Sequence, residues 1–209
     1  ALGYGVAGTY FLFHKDLQTK LSYERTYHLP TDRELFGDGD YEDGNATLLP
    51  EKSDNLNFNL SYQLTFNDTH TLSVDAGFNY RYMQDYIIRT IGQKGVAVSS
   101  NHGRTQGMGM DLSLHYYFKD VASIGGNLSI QNTRDKEQFN SIGAVSITYG
   151  NRVPNLPYTF GGADASYTFK RVLGKDNRLT IGCDLRYIHK FYRSWSSEGA
   201  KLYVPEQLS

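Results

Sequence analysis

The sequence predicts an all-β chain: an antiparallel, up-and-down transmembrane β-barrel segment of about eight strands. Three observations predict it. Apolar and polar residues alternate strictly, the longest alternating stretch exceeds an ordinary soluble strand, and short and long connections take turns between successive stretches.

Taken in order, weaker alternation runs through 4–13 and 17–26. A clear example follows, with Leu56, Phe58, Leu60, Tyr62 and Leu64 on one face and Asn57, Asn59, Ser61 and Gln63 on the other. Next, Leu72, Val74, Ala76, Phe78, Tyr80 and Tyr82 alternate with Ser73, Asp75, Gly77, Asn79 and Arg81. Then Met108, Met110, Leu112, Leu114, Tyr116 and Phe118 alternate with Gly109, Asp111, Ser113, His115 and Tyr117. Weaker stretches at 122–131 and 160–169 precede a last one, in which Leu179, Ile181, Cys183, Leu185 and Tyr187 face away from Thr180, Gly182, Asp184, Arg186 and Ile188. The connections 14–16, 67–69, 119–120 and 172–177 are turn-like. Those at about 27–52, 89–104 and 132–157 are long, and the tail from about 191 reads as the start of another. Tight turns at one end and long loops at the other are the pattern of outer-membrane barrels. Lipid asks for the apolar face, a wet lumen accepts the amides and hydroxyls, and strand pairing satisfies the backbone that hydrocarbon cannot. A soluble antiparallel sheet with one buried face alternates in the same way. The 70–88 segment and the loops confined to one end favour the membrane.

Composition narrows the function. The 209 residues carry a formal net charge of −1, so there is no basic excess to bind nucleic acid. Tyr numbers 17 and Phe 11, suited to aromatic girdles, while the single Cys183 excludes an intramolecular disulfide and a thiolate zinc cluster. No apolar run approaches the ~20 residues of a membrane-spanning helix. The start "ALGYGV" has neither Met nor a signal segment and reads as a mature chain or a piece of a longer one.

The stretch "LSYERTYHLPTDRELFGDGDYEDGNATLLPEKSDNLNFNLSY" (21–62) resembles the barrel of TonB-dependent outer-membrane receptors. The resemblance rests on Leu29-Pro30, Glu34-Leu35-Phe36, Gly44-Asn45, Leu48 and Pro50-Glu51-Lys52-Ser53 leading into an alternating strand. "RVPNLPYTFGGADASYTF" (152–169) and "LRYIHKFYRSW" (185–195) are similar to a later part of the same barrel. The resemblance implies a Gram-negative outer-membrane location and a complete barrel of about 22 strands. It also implies a plug domain on the same full-length chain and a TonB complex that supplies energy. Residues 1–209 would then be part of the barrel domain's later half, with no plug domain, no TonB box and no terminal aromatic strand.

No catalytic frame stands out. "NLSYQL" lacks the G-x-S-x-G elbow, and the lumen carboxylates Glu24, Asp75, Asp111 and Asp164 are what any wet barrel wall carries. The acidic run 38–51 fails the EF-hand register, because counting from Asp38 puts Asp43 sixth and Leu49 twelfth. The histidines His14, His28, His70, His102, His115 and His189 show no metal-ligand spacing. The expectation is therefore no enzyme, no metal and no cofactor. Substrate contact belongs to the loops, with Arg33, Asp38, Asp40, Tyr41, Arg104, Arg152, Tyr192 and Trp195 as candidates, joined by Arg25, Arg89 and Lys94. The lumen wall would present Lys20, Glu24, Asn57, Asn59, Gln63, Asp75, Asn79, Arg81, Asp111, His115, Asp184 and Arg186. The function expected is import of a scarce nutrient, whether siderophore, vitamin, glycan or peptide, with the lipid bilayer, plug and TonB as partners. A self-contained small outer-membrane barrel and a soluble ligand-binding β-domain are the alternatives.

Overall fold

A computed structural model describes residues 2–13, 16–91, 95–139, 142–172, 174, 177–197 and 202–209. His14, Lys94 and parts of the first and last short turns lie outside them. The elements are β1 (Tyr4–Leu12), β2 (Leu17–His28), α1 (Asp32–Phe36), β3 (Glu42–Asp43), β4 (Glu51–Phe66), β5 (His70–Gln84), β6 (Ile87–Ile91) and β7 (Ala97–Asn101). They continue with β8 (Thr105–Phe118), β9 (Ala122–Asp135), β10 (Thr159–Lys170), β11 (Arg178–Ile188), β12 (Phe191–Tyr192), β13 (Tyr203–Val204) and β14 (Gln207–Leu208).

Eight long strands and β14 form one antiparallel sheet in the order β1-β2-β4-β5-β8-β9-β10-β11-β14. Each long strand pairs with the next long strand in the chain, from β1 to β11, as an up-and-down meander requires. The sheet is open, with β1 and β14 at its edges. Among the described residues no helix is long and apolar enough to cross a membrane, so crossing falls to the strands.

The register turns the alternation into two continuous surfaces. Leu21, Phe58, Phe78, Met110 and Ile130 follow one another across five strands, as do Thr19, Leu60, Ala76, Leu112 and Leu128 one step along. Leu21, Phe58, Phe78, Met110, Ile130, Leu112 and Leu128 stay open, with Met110 54% and Leu128 42% exposed, while Thr19, Leu60 and Ala76 are half-buried. A soluble chain does not leave so wide a continuous apolar band uncovered, whereas lipid requires it. Cys183 lies on this face, exposed and paired in register with Ala165.

The buried side chains are elsewhere. Ser53, Asn55, Met83, Thr105 and Asp135 all lie near the same ends of β4, β5, β8 and β9, where the long connections leave. Strands of 14–16 residues run roughly 50 Å at about 3.3 Å per residue, well beyond ~30 Å of hydrocarbon, so their ends stand above the bilayer and the loops fold over them.

Those loops have structure that strand alternation does not announce. Thr31 caps α1 in a capping box, its hydroxyl accepting from Glu34 N at 3.3 Å while Glu34 Oε2 accepts from Thr31 N at 2.7 Å. Gly37 closes the helix at φ 76°, a left-handed angle that a Cβ would strain. β6 and β7 form a hairpin, and β3 adds to β7 in parallel, which joins the first loop to the second.

Candidate functional site

Two regions collect the polar and aromatic side chains that could meet a ligand: the wet face of the sheet and the cluster of long loops above it. On the wet face, amides and hydroxyls lie in register. Asn57, Asn79, Gly109 and Gln131 make one row, and Asn59, Gly77, Asp111 and Ser129 the next. Arg81 donates from Nε to Asn55 Oδ1 at 2.7 Å, and Ser129 donates to Asp111 Oδ1 at 2.6 Å. His115 bonds Ser113 Oγ through Nδ1 at 3.3 Å, and its Nε2 lies 3.7 Å from Asp164 across Gly125, where a Cβ would collide with the imidazole. Asp75 is met by Ser73, Arg186 Nε lies 4.0 Å from Asp184, and Glu24 stands in register with Gly5 and Asn55. This is a hydrogen-bonded wall of amides, hydroxyls and paired charges.

Above it, Ile88 from the second loop, Val153 from the third and Trp195 from the tail form a small apolar core, with Tyr86 and Leu156 packed against it. Trp195, 5% exposed, stacks on His102 at 4.7 Å, and His102 Nε2 lies 3.1 Å from the fully buried Asp135. Asp135 also accepts from Thr148 Oγ1 and Glu137 N. Arg104 grips Glu137 with both arms of its fork, at 3.1 and 3.2 Å, and this pair holds the Glu137 carboxyl below its ordinary range.

The first loop is tied in by charge. Buried Glu42 receives Arg33 Nε at 3.1 Å and Arg89 Nη2 at 3.2 Å. Asp38 accepts from the backbone amides of Tyr41, Asp40 and Glu42 and pairs with Arg33; those amides first, and then Arg33, hold its carboxyl well below the usual carboxylate range.

Between the second and third loops and the tail lies a cleft of about 760 Å³. Tyr41 and Arg89 line it with Arg193, Trp195 and the apolar Ile88, Ile91 and Leu156, and no carboxylate is among its lining residues. Burial raises the Tyr86 phenol, so it remains a protonated donor in this wall. Tyr86 and Leu156 also line a hollow of about 380 Å³ on the wet face, bounded by Asn57, Asn79, Arg81 and Gln131. The loop cleft and the wet wall therefore meet at two shared side chains.

The family model for the TonB dependent receptor-like β-barrel matches residues 4–205. The chain belongs to this family. Solved TonB-dependent receptors carry the same sheet. The copper transporter OprC superposes with a TM-score of 0.70 at 15% identity, over 98% of this chain and 29% of its own. The ferric yersiniabactin uptake receptor FyuA from Yersinia pestis does so at 0.65 and 18%, over 98% and 28%. The FrpB iron transporter from Neisseria meningitidis does so at 0.65 and 14%, over 100% and 31%. This chain thus spans about three tenths of the length of those receptors. No curated protein matches it in sequence.

In a TonB-dependent receptor barrel the long loops are external and the wet face is the lumen. The eight loop candidates then divide into three groups. Tyr41 and Trp195 meet at the loop cleft, Tyr41 open at its mouth and Trp195 packed in its wall. Arg33, Asp38 and Arg104 are engaged in ion pairs that brace the loops, and Asp40 stands in the turn that Asp38 caps. Arg152 and Tyr192 lie apart, near Tyr158, with the Arg152 guanidinium 4.2 Å over the Tyr158 ring. Arg25 pairs with Asp54 at the upper end of β2. Tyr86, Arg193 and the Glu42 carboxylate shared by two arginines did not stand out from spacing, because their partners lie on other loops. Among the described residues no three His, Cys, Asp or Glu come together as a metal-binding set.

Proposed function

We propose that this chain is part of the barrel of a receptor that captures a scarce nutrient at its external loops and imports it through the lumen with TonB-coupled energy. The observation that carries this reading is the cleft of about 760 Å³ between the loops, which shares Tyr86 and Leu156 with a polar hollow on the lumen wall. A ligand released from the first meets the second directly. The amide rows below offer donors and acceptors to a polar solute and to a plug resting against the wall. The plug domain and the TonB box belong, on this reading, to the rest of a longer chain in a Gram-negative outer membrane. The cleft's aromatic and arginine lining, with no carboxylate, suits a ligand with an apolar body and electron-rich or anionic groups. The chain's part in this process is binding and guidance rather than catalysis.

The test is uptake by cells carrying the full-length receptor, using a panel of labelled siderophores, a vitamin, oligosaccharides and peptides. One class is expected to be imported, and Tyr41→Ala combined with Arg193→Ala is expected to weaken its binding by about tenfold, the loss of one charge-assisted contact. Import unaffected by the double variant would move the binding site away from the cleft.

A further inference from the structure

A second hollow, of about 410 Å³, lies beside the loop-side ends of β9 and β10, with Asn132 and, from the wet face, Gln131 at its margin. Its floor is Ile130 and Thr159, which stand opposite each other in register on the lipid-facing side. Its basic lining is Arg152, His189 and Lys190, its aromatic lining is Tyr158, Tyr192 and Tyr203, and no carboxylate lines it.

Register fixes its height. Along the outer face of β9, Leu128 and Ile130 give way to Asn132 and then Arg134 toward the loops. On β11 the same face passes from Leu185 to Tyr187 and, just past the strand's end, to His189, whose amide donates to Thr159 O at 2.9 Å. On these two strands, which flank β10, the surface thus changes from apolar to polar within one step of register, and the basic hollow sits at that boundary. This is where the acyl chains of the outer leaflet end and its headgroups begin.

The arginine is held in place. Arg152 Nε donates to Asn132 Oδ1 at 3.0 Å, and its guanidinium plane lies over Tyr158, which leaves the two Nη groups as the fork a phosphate would engage. His189 is oriented by Tyr187, whose hydroxyl lies 2.8 Å from Nδ1. Tyr192 and Tyr203 stack at 4.8 Å as an amphipathic wall. Lys190 is exposed.

We propose that this hollow binds a phosphate-bearing lipid headgroup of the outer leaflet, with Arg152, His189 and Lys190 on the phosphate and the apolar groups at Ile130 against its first methylenes. The inference rests on the reading of the chain as an outer-membrane receptor, but uses none of the residues of the nutrient cleft. An anion free in solution would gain nothing from a site opening on the lipid band, which is why the lipid is chosen over inorganic phosphate.

The experiment is native mass spectrometry of the full-length receptor in detergent, titrated in turn with diphosphorylated lipid A, the same lipid stripped of its phosphates, and inorganic phosphate. Lipid A is expected to bind one per receptor, and loss of the phosphates to weaken it at least about tenfold. The double variant His189→Gln/Lys190→Gln, at one half-buried and one exposed position, should weaken lipid A by a similar factor while thermal unfolding stays unchanged, and Arg152→Lys, which keeps the charge but loses the fork, should weaken it less. Equal binding of the stripped lipid, equal binding by the double variant, or inorganic phosphate binding as tightly as lipid A would each overturn the proposal. Nutrient uptake is measured on the unsubstituted receptor in parallel. There, absent uptake with lipid A bound would count against the nutrient cleft alone, and uptake with no lipid A bound against this site alone.

Discussion

At the scale of single residues, the loop cluster depends on a few carboxylates that hold backbone or arginine in place. Asp38 shows the logic most fully, since one of its oxygens accepts from the amides of Asp40, Tyr41 and Glu42. Asp38→Asn keeps a carbonyl acceptor for those amides and loses only the charge toward Arg33, whereas Asp38→Ala loses both. Hydrogen exchange at the amides of residues 40–42 should therefore speed up strongly in the alanine variant and slightly in the asparagine one; equal protection in all three proteins would remove Asp38 from this role. The pH dependence has a definite sign. The native carboxyls of Asp38 and Glu137 are depressed, so their contribution is complete above the unfolded value of about 4 and is lost as pH falls through the lower native value. A spin label at the exposed Tyr41 should keep the same mobility from pH 7 to 5 and loosen only in more acid solution. Loosening between pH 7 and 6 would point to a histidine instead.

At the scale of elements, alternation was enough to locate all eight long strands, because one face meets lipid and the other water along their whole length. The two faces should respond differently to the same substitution. Leu60→Arg places a charge in the lipid band and should destabilise the barrel by about 2–4 kcal/mol if near midplane, whereas Ser61→Arg on the wet face should cost much less. Refolding into lipid vesicles, followed by the gel shift of folded barrels, measures this; equal losses would reverse the face assignment. The loop elements were less legible. The capping box Thr31–Glu34 is visible in "TDRE" as a local signal, but α1 is only five residues long and lies in a stretch otherwise read as loop. The β6–β7 hairpin and the two-residue β3 carry too little alternation to separate from their surroundings, and β3 exists only because β7 from another loop pairs with it.

At the scale of the whole molecule, the sheet is open and its edge strands carry unsatisfied backbone groups. A polypeptide of residues 1–209 refolded alone in detergent micelles should associate through β1 and the β11/β14 edge, and light scattering should find dimers or larger species. A stable monomer with protected edge amides would mean that the isolated sheet closes on itself. The loops of the described chain form one packed body through Ile88, Val153 and Trp195, so strain at the loop cleft is shared by three connections rather than absorbed by one.

By itself the sequence determined the strands, their two faces, the end at which the long connections lie and the family, because each of these follows from period-two alternation, turn chemistry and local motifs. Only the tertiary structure decided which loop residues meet. It brought Tyr41 to Arg193 and Trp195, set Arg104 on Glu137, shared Glu42 between Arg33 and Arg89, and sent Arg152 and Tyr192 to the lipid side. Those contacts join segments tens of residues apart, and a loop's side chains obey no period from which such a meeting could be read. Alternation is imposed by the solvent on either side of a sheet; convergence is imposed by the packing of one loop on another.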